Sequence, residues 1–302
     1  MAPKLDLRGV LVPLTTPFSS EGSFSPGHLS RNLAAYNKLA LVGYVVTGST
    51  GESVMLSREE IDQVWAAARD ASAPGKVLIA GTGVDSTAET ISRCRRAAEL
   101  GYGAALVKTP YYYKSQMTPA VLEAHYLRVA DASPIPILIY SVPVFTGVTV
   151  EADLAARLSR HPNIAGMKDS SGSPERAGEI ARLAPPEFQL VVGSAQNFAA
   201  SLAAGARGGI LALACVLPEL CVELHQAHAR GDFARVAEFH QAIADPARLI
   251  VAKYGPAGVK YAMDKRGYYG GPPRPALQPI TGPAASEIDA VLTKLSLAPA
   301  SR

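Results

Sequence analysis

The sequence has few cysteines and no long apolar run, and each shortage excludes a class of protein. Its 302 residues include only three cysteines, Cys94, Cys215 and Cys221. They are an odd number without Cys-x-x-Cys spacing, which argues against a disulfide framework or a cysteine zinc site. No stretch approaches eighteen consecutive apolar residues, so we expect no membrane span. The amino terminus also lacks the basic start and apolar run of a signal peptide, and we therefore expect a cytoplasmic protein.

An excess of charge of one sign is also missing. The 29 Lys and Arg residues exceed the 26 Asp and Glu residues by only three, and they are scattered rather than gathered in the basic stripe that nucleic-acid binding needs. His225 and His228 lie three apart without an evident third ligand, so we expect no metal. Gly81-Thr82-Gly83 lacks the third glycine of a dinucleotide loop, and there is no Gly-Lys-Ser/Thr phosphate loop. We expect no organic cofactor and no nucleic-acid partner.

What the sequence does have is a regular alternation of short apolar runs with longer segments of helical period. Hydrophobic residues make up 48% of the chain, enough for a large core. Ser57 with Glu60 and Ser86 with Glu89 read as helix-starting capping boxes between the runs. Eight strands with seven intervening helices predict an α/β fold, a closed (β/α)8 TIM barrel, in preference to an open doubly wound sheet. The predicted strands are Val10 to Leu14, Gly43 to Thr47, Val77 to Gly81, Ala104 to Lys108, Ile135 to Tyr140, Ile164 to Lys168, Phe188 to Val192 and Gly209 to Leu213.

After Pro218 the strand signal stops and helical patterns continue. We predict a barrel unit over residues 1–218 that carries the active site, and a C-terminal helical extension over residues 219–302 packed on it. The predicted helices of the extension are Glu219 to Arg230, Phe233 to Tyr254, Gly258 to Gly267 and Ala284 to Leu295.

In such barrels the active site lies at the carboxyl ends of the strands, so polar residues that end apolar runs are the candidates. Lys168 follows Ile164-Ala165-Gly166-Met167, and desolvation there would favour a neutral amine able to attack a carbonyl. The same position suits a structural lysine paired with Asp169 or another carboxylate. Lys108 ends its strand in the same way, and nothing local separates the two lysines.

Two further features lie at the same predicted end of the barrel. Tyr140 closes a strand, where its hydroxyl could relay a proton or the ring could serve only in packing. Gly48-Ser49-Thr50-Gly51 offers hydroxyls and backbone N–H groups suited to a carboxylate, although an ordinary glycine turn would look the same.

Four motifs together carry a family resemblance. They are Gly48-Ser49-Thr50-Gly51-Glu52, Thr109-Pro110-Tyr111-Tyr112, Tyr140-Ser141-Val142-Pro143 with Thr146-Gly147, and Gly166-Met167-Lys168-Asp169. In order and spacing they resemble the dihydrodipicolinate synthase/N-acetylneuraminate lyase family of class I aldolases. The resemblance implies a (β/α)8 barrel with a helical extension, a small pyruvate-type 2-oxo acid as substrate, and a homotetramer built as a dimer of tight dimers.

The same resemblance implies roles for individual residues. Lys168 matches the Schiff-base lysine, whereas Lys108 stands where the family has no catalytic residue. Tyr140 matches the tyrosine that transfers protons, and it is linked to Ser49 and to Tyr112 of a neighbouring subunit. The residues implied in substrate binding are Ser49, Thr50, Ser170, Gly193 and Ile210, the last through its backbone carbonyl.

One position departs from the synthases of the family, which carry an arginine to grip the carboxylate of the aldehyde partner where this chain has Phe145. The closer likeness is to the 4-hydroxy-2-oxoglutarate aldolases, through Ser133-Pro134-Ile135-Pro136, His161-Pro162-Asn163-Ile164 and Gly267-Tyr268-Tyr269-Gly270-Gly271-Pro272. It predicts cleavage of a 4-hydroxy-2-oxo acid, foremost 4-hydroxy-2-oxoglutarate, to pyruvate and glyoxylate. The alternatives are a dihydrodipicolinate synthase, a 2-keto-3-deoxy sugar-acid aldolase or dehydratase, and a non-catalytic keto-acid sensor.

Overall fold

Eight parallel strands close into a barrel in the computed structural model, which describes residues 5–295. Each strand pairs with the next along the chain, and β8 pairs with β1. The (β/α)8 barrel that the alternating pattern predicts is therefore confirmed. The strands are β1 (Gly9–Pro13), β2 (Gly43–Val46), β3 (Val77–Gly81), β4 (Ala104–Lys108), β5 (Ile137–Ser141), β6 (Ile164–Asp169), β7 (Gln189–Val192) and β8 (Gly208–Ile210).

Two strands differ from the prediction by two residues or more at one end, and the others agree to within one residue. β5 begins at Ile137 and not at Ile135, because Pro134 and Pro136 have no N–H to donate to a ladder at the start of the run. β8 ends at Ile210, since the chain turns into a 3₁₀ helix at Ala212–Cys215. The short β8 leaves the residues that follow it free to form part of the barrel mouth.

Helices connect the strands around the outside of the barrel. They are α1 (Pro26–Tyr36), α2 (Arg58–Ala71), α3 (Thr87–Glu99), α4 (Pro119–Ala132), α5 (Pro143–Thr146), α6 (Ala152–Leu158), α7 (Pro174–Leu183) and α8 (Phe198–Ala203). The capping box predicted for α2 is complete, with Ser57 and Glu60 each accepting a backbone N–H of the other. Ser86 accepts from the Glu89 N–H at the start of α3, but the capping box predicted there is only half formed, because the Glu89 carboxylate pairs with Arg58 and Arg93. These caps place helix starts next to the strand ends that carry polar residues.

The strands are buried on both faces. Leu11, Val45 and Leu106 point into the barrel and pack on one another, whereas Val10 and Val12 point outward into the layer between sheet and helices. This explains why the strands read as continuous apolar runs and not as alternating ones. The packed interior ends near the carboxyl ends of the strands, where the side chains become polar.

The C-terminal extension is helical, as predicted. It comprises α9 (Pro218–Ala229), α10 (Phe233–Pro246), a π-helical segment (Ala247–Lys253), α11 (Gly255–Lys265) and α12 (Gly282–Thr293). The segment predicted as one helix from Phe233 to Tyr254 is helical through Lys253, but Pro246 cannot donate an intrahelical hydrogen bond and the backbone changes from α-helical to π-helical bonding there. No helix within residues 5–295 combines the length and apolarity needed to cross a bilayer.

The predicted division of the chain at residue 218 stays a prediction. Residues 1–4 and 296–302, which form the outer ends of the two predicted units, lie outside the described residues. Within the described part, α9 and the 3₁₀ helix before it pack against β1. The extension therefore begins in direct contact with the barrel.

Candidate active site

Three chemically active side chains lie in one row across the barrel mouth. Register pairs Lys108 on β4 with Tyr140 on β5, and Tyr140 with Lys168 on β6. The Lys168 Nζ atom lies 4.4 Å from the centroid of the Tyr140 ring. Lys168 and Tyr140 are only 6% and 5% exposed. The two strand-ending residues therefore meet in a largely water-excluded position.

A cavity of about 640 Å³ opens over Tyr140 and Lys168. The predicted binding residues that line it are Ser49, Thr50, Ser170, Gly193 and Ile210, together with Lys168 and Tyr140. Residues from β2, β5, β6, β7 and β8 thus converge on one space, as expected for the carboxyl ends of barrel strands. All of the sequence-predicted site residues except Tyr112 meet here.

Ser49 reaches Tyr140 from the β2–α2 loop, residues 47–57. Its hydroxyl oxygen lies 3.3 Å from the Tyr140 hydroxyl oxygen, at hydrogen-bond distance. Thr16 donates to the Gly51 carbonyl oxygen at 2.6 Å, and a Cβ atom at Gly51 would lie 2.9 Å from the Leu14 carbonyl oxygen. The loop is therefore held tightly against the chain that follows β1.

The alternative that Lys168 pairs with Asp169 does not fit the geometry. Successive residues of a strand point to opposite faces, and the buried Asp169 carboxylate pairs with Arg176 at 3.3 Å. It also accepts a hydrogen bond from the Ser171 hydroxyl at 2.5 Å. Within residues 5–295 no carboxylate comes within 4.0 Å of the Lys168 amine. Lys168 faces the cavity without an acid.

Lys108 differs from Lys168 in what occupies its amine. It donates to the Gly83 carbonyl oxygen at 2.8 Å and lies 5.2 Å from the Tyr111 ring centroid. Burial lowers the pKa of Lys108, Asp85 opposes that shift and Arg93 adds to it. Its amine lines a smaller neighbouring cavity of about 220 Å³, which also reaches Ser49 and Tyr140. Lys108 is therefore close to the row but is engaged by the backbone.

Gly193 gives Lys168 and Ser170 the room they occupy. A Cβ atom at position 193 would collide with the Ser170 hydroxyl and lie 3.2 Å from Lys168 Cε. The Gly193 N–H donates to the Asp169 carbonyl oxygen at 2.8 Å, which holds β7 against β6 at this point. A side chain here would therefore displace Ser170 and crowd Lys168, which explains a glycine on sterics alone.

Phe145 and Tyr112 occupy different places. Phe145 projects from α5, is 60% exposed and lines the cavity. Tyr112 follows β4, is 74% exposed and packs edge-on against Tyr113 with ring centroids 5.1 Å apart. Tyr112 does not line the cavity of its own chain. Its predicted role as a group supplied to a neighbouring subunit stays a prediction.

Sequence reasoning missed the contribution of the extension. Val251, Tyr254 and Val259 form part of the cavity wall, and Lys260 on α11 forms a fully buried ion pair with Glu52 in the β2–α2 loop. The sequence did contain one signal that this lysine is buried. Lys260 stands three residues after Ala257 and three before Met263, which places it in the apolar stripe of a helix. Its partner, far away in the sequence, carried no such signal.

Comparisons with known proteins agree with this architecture. The model of the "Dihydrodipicolinate synthetase family" matches residues 6–295. The chain is 37% identical over 290 residues to a 4-hydroxy-tetrahydrodipicolinate synthase of Methanothrix thermoacetophila, covering 96% of this chain and 97% of that one. It is 36% identical over 297 residues to a probable mitochondrial 4-hydroxy-2-oxoglutarate aldolase of Emericella nidulans, covering 96% and 95%.

Solved structures give the same result. The crystal structure of dihydrodipicolinate synthase from Aquifex aeolicus superposes with a TM-score of 0.92 at 30% identity and covers 98% of this chain and 100% of its own. The synthase from Acinetobacter baumannii, solved in complex with pyruvate, superposes with a TM-score of 0.91 at 28% identity, covering 96% and 99%. The resemblance predicted from the four motifs is confirmed. The chain belongs to the dihydrodipicolinate synthetase family and is a lyase, a pyruvate-dependent class I aldolase.

Proposed function

We propose that the protein makes or breaks a carbon–carbon bond next to a pyruvate-type keto acid through an imine on Lys168. The observation that carries this proposal is a buried amine with no acid beside it, facing a cavity and lying against the Tyr140 ring. An amine in that setting can attack a carbonyl without first breaking an ion pair. Lys108, whose amine donates to a backbone carbonyl, is less free to do so.

In the cleavage direction, the neutral Lys168 amine adds to the C2 ketone of a 4-hydroxy-2-oxo acid, and Tyr140 gives its hydroxyl proton to the departing water, which leaves an iminium and a tyrosinate. Tyr140, hydrogen-bonded to Ser49, takes the proton of the C4 hydroxyl. The electrons of the C3–C4 bond move into the iminium, the aldehyde leaves, and an enamine remains. Protonation of the enamine at C3 and hydrolysis of the resulting iminium release pyruvate and regenerate the amine. Synthesis is the reverse sequence.

The binding roles follow from what lines the cavity. Ser49 and Thr50, with the backbone N–H groups of their loop, would hold the C1 carboxylate. Ser170 and Gly193 lie beside Lys168, and Ile210 would contribute its backbone carbonyl from the opposite wall. Tyr112 of a second copy would complete the proton relay in a dimer of dimers. A cytoplasmic location stays a prediction.

Two acceptor aldehydes are candidates, and different observations favour them. Most of the named relatives are 4-hydroxy-tetrahydrodipicolinate synthases, which favours synthesis with aspartate semialdehyde as acceptor. Phe145 counts against aspartate semialdehyde, because a neutral ring cannot form the bidentate pair that a guanidinium makes with the carboxylate of that aldehyde. Glyoxylate also carries a carboxylate, so cleavage of 4-hydroxy-2-oxoglutarate is supported by the motifs shared with the aldolases and by the 36% identical relative, and not by Phe145. The relatives give the synthase the broader support.

The imine is tested by reduction with borohydride in the presence of pyruvate, followed by peptide mass mapping. The expected result is a reduced pyruvate adduct on the peptide containing Lys168. An adduct on the peptide of Lys108 would overturn the site assignment. No adduct at saturating pyruvate would overturn the mechanism and would support a keto-acid sensor.

The acceptor is tested by supplying both substrates to the same preparation. Condensation of pyruvate with aspartate semialdehyde is followed in one assay, and release of pyruvate from 4-hydroxy-2-oxoglutarate in the other. Turnover confined to the first assay assigns the synthase, and turnover confined to the second assigns the aldolase. Turnover in neither, with an intact imine, directs the search to 2-keto-3-deoxy sugar acids.

A further inference from the structure

We propose that Glu52 and Lys260 form a positioning pair, through which the C-terminal extension sets the loop that holds the substrate carboxylate. This inference rests on the proposed function, since it concerns the placement of Ser49 and Thr50. Neither residue of the pair lines the 640 Å³ cavity, so neither is proposed to touch substrate. Their effect would pass through the backbone between positions 48 and 52.

The pair itself is fully enclosed. Lys260 Nζ lies 2.5 Å from Glu52 Oε1, and the side chains are 1% and 0% exposed. The amine also donates to the Pro272 carbonyl oxygen at 2.9 Å and lies 4.3 Å from the Phe18 ring centroid. A buried ion pair contributes little net stability compared with apolar side chains of the same size, but it holds its two elements in one arrangement.

Glu52 is joined directly to the carboxylate-binding segment. Its N–H donates to the Ser49 carbonyl oxygen at 3.1 Å, and the Gly51 N–H donates to that of Gly48 at 3.1 Å. Glu52 has a φ of 55°, a left-handed conformation that is unfavourable for a non-glycine residue and persists only where surrounding contacts hold it. The buried carboxylate supplies contacts of this kind, with Lys260 and with the Arg274 backbone.

The C-terminal extension also binds the second oxygen of the Glu52 carboxylate. The Arg274 backbone N–H donates to Glu52 Oε2 at 2.8 Å. The Arg274 guanidinium forms two hydrogen bonds of 2.7 Å with the Glu60 carboxylate at the start of α2 and lies 4.2 Å from the Phe18 ring centroid. Both oxygens of Glu52 are therefore held by residues that follow α10. Val259, which is adjacent to Lys260, lines the cavity. Helix α11 therefore supplies both a residue of the cavity wall and the lysine that holds the β2–α2 loop.

A purely structural pair would affect stability alone, so the test needs a kinetic quantity that stability does not change. The pyruvate concentration that gives half-maximal borohydride trapping on Lys168 is such a quantity, and it needs no acceptor. Glu52→Gln keeps the size of the side chain and leaves no uncompensated buried carboxylate. The double variant Glu52→Gln/Lys260→Met removes both charges. Lys265→Met is the matched control, because Lys265 lies on the same helix but is exposed and pairs with Asp289 at 3.1 Å.

We expect the half-saturating pyruvate concentration to rise about tenfold in the double variant and less in Glu52→Gln, with a smaller change in the maximal trapping rate, because displaced hydroxyls weaken ground-state binding of the carboxylate. Lys265→Met should match the parent protein. A folded Glu52→Gln and a folded double variant that both keep the parent's half-saturation would overturn the proposal, whatever their stability. Absence of trapping in the parent protein would instead overturn the proposed function, and this inference with it.

Discussion

Lys168 and Lys260 are both buried lysines, yet their surroundings differ in one decisive respect. Lys260 has a carboxylate 2.5 Å away and does not line the 640 Å³ cavity. Lys168 has no carboxylate within ion-pair distance among residues 5–295, and it faces a cavity large enough for a keto acid and its acceptor. Lys260 is 1% exposed and Lys168 is 6% exposed, so the degree of burial does not distinguish the two lysines. Neighbouring groups, and not the degree of burial, therefore distinguish Lys260, which forms an ion pair, from Lys168, whose amine faces the cavity.

The electrostatics of the anchoring lysine show why its acid matters. Burial lowers the pKa of Lys260, and Glu52 opposes that shift by favouring the charged amine. Glu52 is therefore the strongest influence that favours the charged form of this amine. A buried acid that lost this lysine would be left uncompensated, which is the most costly way to break such a pair.

The largest expected effect comes from removing the unpaired lysine. We expect Lys168→Met to abolish pyruvate trapping and to lower turnover at least about 10³-fold, because the covalent route is lost. Melting temperature should change little, since no ion pair of Lys168 is broken and Asp169 keeps Arg176. Steady-state kinetics and thermal unfolding measure the two quantities. Turnover within tenfold of the parent would contradict the distinction between the two lysines.

The paired lysine should behave in the opposite way, with its main effect on stability. We expect Lys260→Met to lower the free energy of unfolding by about 3–5 kcal/mol, because Glu52 is left as a buried, uncompensated charge. Adding Glu52→Gln should restore most of this loss. Urea unfolding of the single and double variants provides the measurement. Equal stabilities for the two variants would show that the Glu52 charge is not the cause.

His125 is a third buried base, and it sharpens the comparison. Among residues 5–295 it forms no ion pair with an acid, and it does not line the 640 Å³ cavity. Burial lowers the pKa of His125 to about 4, with Asp85 opposing the shift. Its Nδ1 lies 2.8 Å from the Thr87 hydroxyl oxygen. The unfolded chain, with a histidine pKa near 6.5, binds more protons between pH 6.5 and 4. The stability contributed by neutral His125 is therefore complete above pH 6.5 and is lost as the pH falls to about 4.

The corresponding prediction is a loss of up to about 3 kcal/mol of unfolding free energy from this residue between pH 6.5 and pH 4. His125→Gln should flatten that part of the stability profile, because glutamine does not titrate. Urea unfolding at a series of pH values measures the profile. A profile of unchanged slope in the variant would place the acid sensitivity at other groups.

The smallest effect is expected at the rival lysine of the barrel mouth. Lys108→Met removes one hydrogen bond to the Gly83 carbonyl oxygen, which should cost about 1 kcal/mol of stability. Turnover should stay within about threefold, and the pyruvate adduct should remain on Lys168. Peptide mapping of the trapped variant checks the adduct. If Lys108→Met lost the adduct and Lys168→Met kept it, the assignment of the two lysines would have to be exchanged.

Local pattern was sufficient for the elements and for the identity of most candidate residues. The buried runs around Ile79 and Ile139 predicted strands because a parallel sheet hides both faces of each strand. Ser57 and Glu60 predicted a helix start because their side chains satisfy backbone groups within one turn. Lys168 and Tyr140 stood out because polar residues at the ends of such strands must meet at one end of a barrel. These signals are local, or follow directly from the topology that local signals define.

The sequence by itself determined the barrel, the helical character of the extension and the set of polar residues that ends the strands. Only the tertiary structure decided which of Lys168 and Lys108 has an unengaged amine. Asp169 pairs with Arg176 and not with Lys168, whereas the Gly83 carbonyl oxygen accepts a hydrogen bond from Lys108. It likewise decided that Lys260 meets Glu52 and that the extension forms part of the cavity wall. The physical reason is that an ion pair or a cavity wall is made by residues far apart in the chain, and periodicity reports only what neighbours within a few turns require.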